Sequence, residues 1–148
     1  MKSAHRSIPI IKLYKTLVVS IQVEVTDHLV VELKEDIAAA IRQQDVRGLI
    51  IEVSGVDVFD SYIARSIRDI ALISSLMGVD TILAGVDAGM AITLVEMGMM
   101  LDNVRTALNL ETALELFGSE VVKGRSEEDW VLDMLINGES DGAHGDDG

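Results

Sequence analysis

Two spacings of apolar residues alternate along the chain. The segment "IPIIKLYKTLVVSIQ" (8–22) holds two short β-rich runs, and Lys15-Thr16 between them predicts the turn of a hairpin. From Thr26 the spacing lengthens. Val30, Leu33, Ile37, Ala40 and Ile41 recur at helical intervals while Lys34, Glu35 and Asp36 face away, with Thr26 or Asp27 as the cap. "GLIIEVSGV" then predicts a buried strand over Leu49–Val53. A second helix is expected over Ser61–Met77, with Ile63, Ile67, Ile70 and Met77 inward, Arg65, Arg68 and Asp69 on the polar side, and Gly78 at its C-terminal cap. "TILAGV" is the next strand and "AGMAITLVEMG" the third helix, closed by Gly98. "VRTA" is a short edge strand, and "NLETALELFG" a fourth helix, capped by Asn109 and stopped at Gly118.

The predicted order is β-β-α-β-α-β-α-β-α. Strands alternating with helices imply right-handed crossovers and an α/β fold with a mixed, mainly parallel sheet. The opening hairpin adds an antiparallel pair. The expected organisation is one domain over 1–118 and an acidic C-terminal tail over 119–148, largely disordered. Within that tail "EEDWVLDMLI" has the pattern of one or two helical turns around Trp130, Leu132 and Ile136.

Charge sharpens this division. The net charge is -13, and the tail holds nine acidic residues against two basic ones, which is about half of the excess. An acidic chain with 3% aromatic residues is a poor match for a phosphate backbone or an anionic membrane surface. No apolar run reaches the ~18 residues of a membrane span, and the N-terminus lacks the apolar core of a signal peptide, so a soluble, cytoplasmic protein is expected. With no cysteine there is neither a disulfide framework nor a thiolate metal site.

Catalytic patterns do not assemble. There is no P-loop and no GxGxxG after the first strand. His5, His28 and His144 are far apart in sequence and have no metal-ligand spacing, so neither metal nor cofactor is expected. Ser61 lacks the G-x-S-x-G elbow of a serine hydrolase, although His28 remains a formal base for it. A phospho-receiver needs an aspartate at the end of the central strand, where this chain has Ser54; Glu24 and Asp27 leave that site incomplete.

The candidate that remains is "DVFDSYIAR" (57–65), where Asp60-Ser61 stands between the central strand and the second helix. The plain reading is structural: Asp60 caps the helix and Ser61 takes its first position. The same geometry suits modification. A helix N-terminus tolerates an anion, and a phosphate there adds about -1.5 to -2 charge without breaking the domain.

The features "GLIIEVSGVDVFDS", "LMGVDTILAGV" and "TLVEMGM", in this order, resemble the STAS fold of bacterial anti-anti-sigma factors over roughly residues 8–118. "DSYIAR", with Tyr62 and Ile63 after the serine, resembles the stressosome scaffold subgroup. The resemblance implies a non-enzymatic scaffold and kinase antagonist, phosphorylated on Ser61 beside a supporting Asp60. It implies as partners RsbR-type STAS proteins in a large homo- and hetero-oligomeric assembly, a switch serine kinase of the RsbT type and a resetting phosphatase of the RsbX type. Thr93 in "AITLVEMG" lies near a threonine modified in RsbR-type relatives, but a buried helical Thr bonding its own backbone is the preferred explanation of it. Two other readings are a direct anti-anti-sigma factor binding an anti-sigma kinase one-to-one, and a small-molecule binder or enzyme on a generic α/β fold. Met97–Leu101 and "IPII" are candidate interface segments, although core packing is the expected use of most of these residues, since buried apolar residues outnumber interface ones.

Overall fold

The computed structural model describes residues 8–22, 26–98 and 104–124, with side chains through Gly118. Contacts divide the chain after Leu114. The elements are β1 (Ile10–Leu13), β2 (Thr16–Ser20), α1 (Asp27–Gln43), β3 (Gly48–Glu52), α2 (Ser61–Leu76), β4 (Asp80–Ala84), α3 (Ala88–Glu96), β5 (Val104–Ala107) and α4 (Leu110–Gly124). This is the expected order.

The five strands lie side by side in sequence order, β1 antiparallel to β2 and every other pair parallel. Each parallel step moves one strand further in the same direction. Right-handed crossovers therefore carry α1, α2 and α3 over one face of the sheet. Leu17, Val19, Leu49, Ile51, Leu83 and Val104 point into that face and pack with Leu33 and Ile37 of α1, Ile63, Ile67 and Ile70 of α2, and Met90 and Leu94 of α3. The intervening residues Ile50 and Ile82 are also fully buried, so β3 and β4 are covered on both faces. That explains why they read as unbroken apolar runs and not as alternating ones.

Four local expectations are adjusted. Leu13 pairs with Thr16, which places the hairpin turn at Tyr14-Lys15. Tyr14 takes the positive φ of 56° there, a conformation usually left to glycine, and its ring stands in solvent. The central strand begins at Gly48 and ends at Glu52. Met77 is only half-buried and is the C-cap of α2. Gly118 does not stop α4, which runs to Gly124. A terminating glycine takes a positive φ, as Gly78 and Gly98 do at 84° and 64°, and Gly118 does not.

The expectations for Glu24, His5, His144, Met99–Leu101 and residues 125–148 lie outside the described residues. Of "IPII", Ile8 is buried, Ile10 half-buried, Pro9 exposed just before the edge strand and Ile11 exposed on it.

Candidate functional site

Every βα unit brings a helix N-terminus to the carboxyl end of the parallel strands, and each of the four helices is capped there by an oxygen chosen for the role. Thr26 Oγ1 accepts from the Leu29 amide at 3.3 Å, Asp60 Oδ1 from Ile63 at 2.9 Å, Asp87 Oδ1 from Met90 at 2.8 Å and Asn109 Oδ1 from Thr112 at 2.8 Å. Asp60 has the extended backbone of an N-cap, φ -109° and ψ -178°. Ser61 follows as the first helical residue and is exposed. The structural role read for Asp60 is thus present, and the carboxylate that performs it leaves the Ser61 hydroxyl outside. The first turn of α2 contains no acidic residue of its own.

The β3–α2 loop that presents Ser61 is held from below by a polar cluster that sequence reasoning did not single out. Glu52, the last residue of β3, accepts from the Ser54 amide at 2.8 Å and from Ser20 Oγ at 3.2 Å; Gln22 Nε2 in turn donates to Ser20 Oγ at 3.1 Å. Val53 N–H donates to Ala84 O at 3.0 Å, which ties the loop's start to β4. Gly85 then approaches so closely that a Cβ on it would lie 2.7 Å from Glu52 Oε1. An acid closing an apolar strand two residues before Ser54-Gly55 was the sequence signal for this anchor.

Tyr62 turns to the other side. It is half-buried. Its phenol is held above the ordinary value of 10.0, first by burial and then by the Asp27 carboxylate beside its hydroxyl, which disfavours a second negative charge. Tyr62 thereby connects the starts of α1 and α2. Further along, Lys34 Nζ of α1 meets Asp69 Oδ2 of α2 at 3.4 Å.

The other candidates are placed differently. Thr93 Oγ1 donates to Gly89 O at 3.0 Å, the intrahelical bond offered as its structural explanation. His28 is in the first turn of α1, largely exposed, with Nε2 3.9 Å from Glu32. Ser54 is exposed at the exit of β3, with its amide on Glu52. No described helix is long and apolar enough to cross a membrane.

Residues 7–113 match the STAS domain, and this chain belongs to the STAS-domain family. Within it the chain resembles stressosome proteins. RsbS of Moorella thermoacetica, bearing a serine-to-glutamate substitution, is 33% identical and superposes with a TM-score of 0.69 over 77% of this chain and 97% of that one. A chain from a structure of the stressosome, described as a signal integration and transduction hub, is 32% identical with a TM-score of 0.66, over 76% of this chain and 98% of that one. The RsbT co-antagonist protein RsbRD of Bacillus subtilis is 32% identical over 73 residues, which are 49% of this chain and 26% of the relative. The match thus spans about a quarter of that curated protein's length.

Proposed function

We propose that this protein is a non-enzymatic stressosome scaffold of the RsbS type that holds a switch serine kinase and releases it when Ser61 is phosphorylated. The observation that carries this reading is an exposed serine at the first position of α2, behind an aspartate that already caps the helix. The likeness to RsbS over nearly the whole of that chain supports it. In the transfer, Ser61 Oγ forms a bond to the γ-phosphorus of ATP as the bond to ADP breaks. The hydroxyl proton passes to a base on the kinase. The product carries about -1.5 to -2 charge at a helix N-terminus whose amides Ser61 and Tyr62 have no intrahelical acceptor. α2 therefore receives the anion without unfolding, and the altered charge is what a bound kinase encounters.

In this reading Asp60 is a positioning residue, RsbR-type STAS proteins are the co-assembling partners, and an RsbX-type phosphatase restores the hydroxyl. Domain 1–118 acts as the scaffold. Incubation with an RsbT-type kinase and ATP, followed by mapping of the phosphate, tests the site. Label on Ser61 that Ser61→Ala abolishes is expected, and label elsewhere defeats the proposal. Particle size separates the scaffold from a one-to-one anti-anti-sigma factor: the scaffold forms a very large particle with a second STAS protein, the alternative a small heterodimer.

A further inference from the structure

Ser61, Arg65, Arg68 and Leu72 lie along one outward stripe of α2, at the three- and four-residue spacing that stacks side chains on a helix face. Arg65 is one turn beyond Ser61, so the two Cβ atoms are ~5–6 Å apart. The guanidinium is exposed and makes no ion pair or hydrogen bond with another described residue. The reason is visible on the same helix. The acid one turn further on, Asp69, is already engaged: its Oδ2 lies 3.4 Å from Lys34 Nζ and its Oδ1 3.9 Å from Arg68 Nη2. In a chain of net charge -13, a cation with no partner among the described residues stands beside the candidate phosphorylation site.

We propose that Arg65 is the receiver of the Ser61 phosphate. The inference rests on the phosphorylation reading of Ser61 and adds to it the side chain that holds the modified state. An anion N-terminal to a cation at four residues' spacing is the favoured orientation on a helix, and guanidinium offers a phosphate two parallel N–H donors. Asp60 works against the anion from the preceding residue, so a cation on the following turn offsets a repulsion that the cap itself creates. The unmodified chain displays Arg65, unpaired among the described residues, on the outer face of α2. In the modified chain that charge is taken up internally. The switch is then an exchange of a surface cation for a neutralised pair plus residual negative charge, all on one helix face.

The test needs no kinase. Phosphoserine is installed at position 61 during translation, and the phosphorus NMR shift is followed against pH in the otherwise native chain and in Arg65→Gln and Arg65→Lys. The second ionisation of the phosphate is expected lower in the native chain than in Arg65→Gln by roughly 0.3–0.7 pH units, as befits an exposed ion pair, with Arg65→Lys between them. High salt removes the difference. Urea midpoints of unmodified native chain and Arg65→Gln are expected to coincide, since the unmodified Arg65 has no partner among the described residues. Identical titrations in native and Arg65→Gln proteins overturn the proposal, as does a difference that survives high salt. A kinase that fails to label Ser61 refutes the phosphorylation reading and leaves the titration result standing.

Discussion

Gly85→Ala probes the anchor beneath the Ser61 loop, and Gly78→Ala supplies its control. Both glycines have nearly the same backbone, φ 83° and 84°. An alanine in this left-handed region costs about 1–2 kcal/mol at either place. The surroundings differ. Nothing lies within 4 Å of a Cβ at Gly78, whereas at Gly85 it meets Glu52 Oε1 at 2.7 Å, Ser54 Cβ at 3.0 Å and Ser54 N at 3.1 Å. The carboxylate end of Glu52 is free to swing away only by giving up the Ser54 amide and Ser20 hydroxyl. A hydrogen bond to a charged group contributes about 1.5–3 kcal/mol net. Gly85→Ala should therefore cost roughly 2.5–5 kcal/mol and Gly78→Ala about 1–2 kcal/mol. Urea unfolding followed by circular dichroism measures both, with equal slopes required for the comparison. The initial rate of Ser61 phosphorylation should fall in Gly85→Ala and stay unchanged in Gly78→Ala under conditions where both are folded. Equal midpoints for the two variants would refute the steric argument, and equal phosphorylation rates would refute the claim that Glu52 positions the loop.

Further tests address the site and the core. Asp60→Ala removes the cap on the Ile63 amide and should lower stability by about 0.5–2 kcal/mol in urea unfolding, with Asp60→Asn retaining most of it. Ser61→Asp supplies one negative charge where phosphate supplies nearly two, so it should weaken kinase binding only in part, as read by calorimetry. Tyr62 has its phenol pKa raised in the folded state, so its contribution to stability is complete below pH 10.0 and is lost as pH rises through the folded value. In Tyr14→Phe the tyrosinate absorbance should rise above pH 10.0, and adding Asp27→Ala should bring it down. Ser74 has a fully buried hydroxyl with no hydrogen-bond partner among the described residues, so Ser74→Ala should be neutral or stabilise by about 1 kcal/mol in thermal unfolding.

The elements were legible because apolar spacing and cap residues agree along most of the chain. Ile63, Ile67 and Ile70 at helical spacing led to the inner face of α2, and Asp60 before them to its start. Boundaries went astray where a side chain's identity conflicted with its backbone. Tyr14 is an improbable choice for a positive φ, so residue type alone points to a turn at Lys15-Thr16, one residue late. Gly118 has the composition of a stop without its conformation. The candidate site was legible in part. Asp60-Ser61 stood out as a local motif, but Glu52, Gly85 and Tyr62 act across strands and helices. Glu52 reaches Ser20, 32 positions earlier in the chain, and local periodicity carries no information about such a pairing. Arg65 was legible as polar, while its lack of a partner among the described residues depends on Lys34 occupying Asp69 from another helix.

The central claim is that charge placed on the Ser61 oxygen governs kinase retention. Its most direct measurement is the affinity of an RsbT-type kinase for the STAS assembly built with this chain, compared between the unmodified form and one carrying phosphoserine at position 61. The account predicts tight retention by the first and release from the second. Equal affinity for both forms would contradict it.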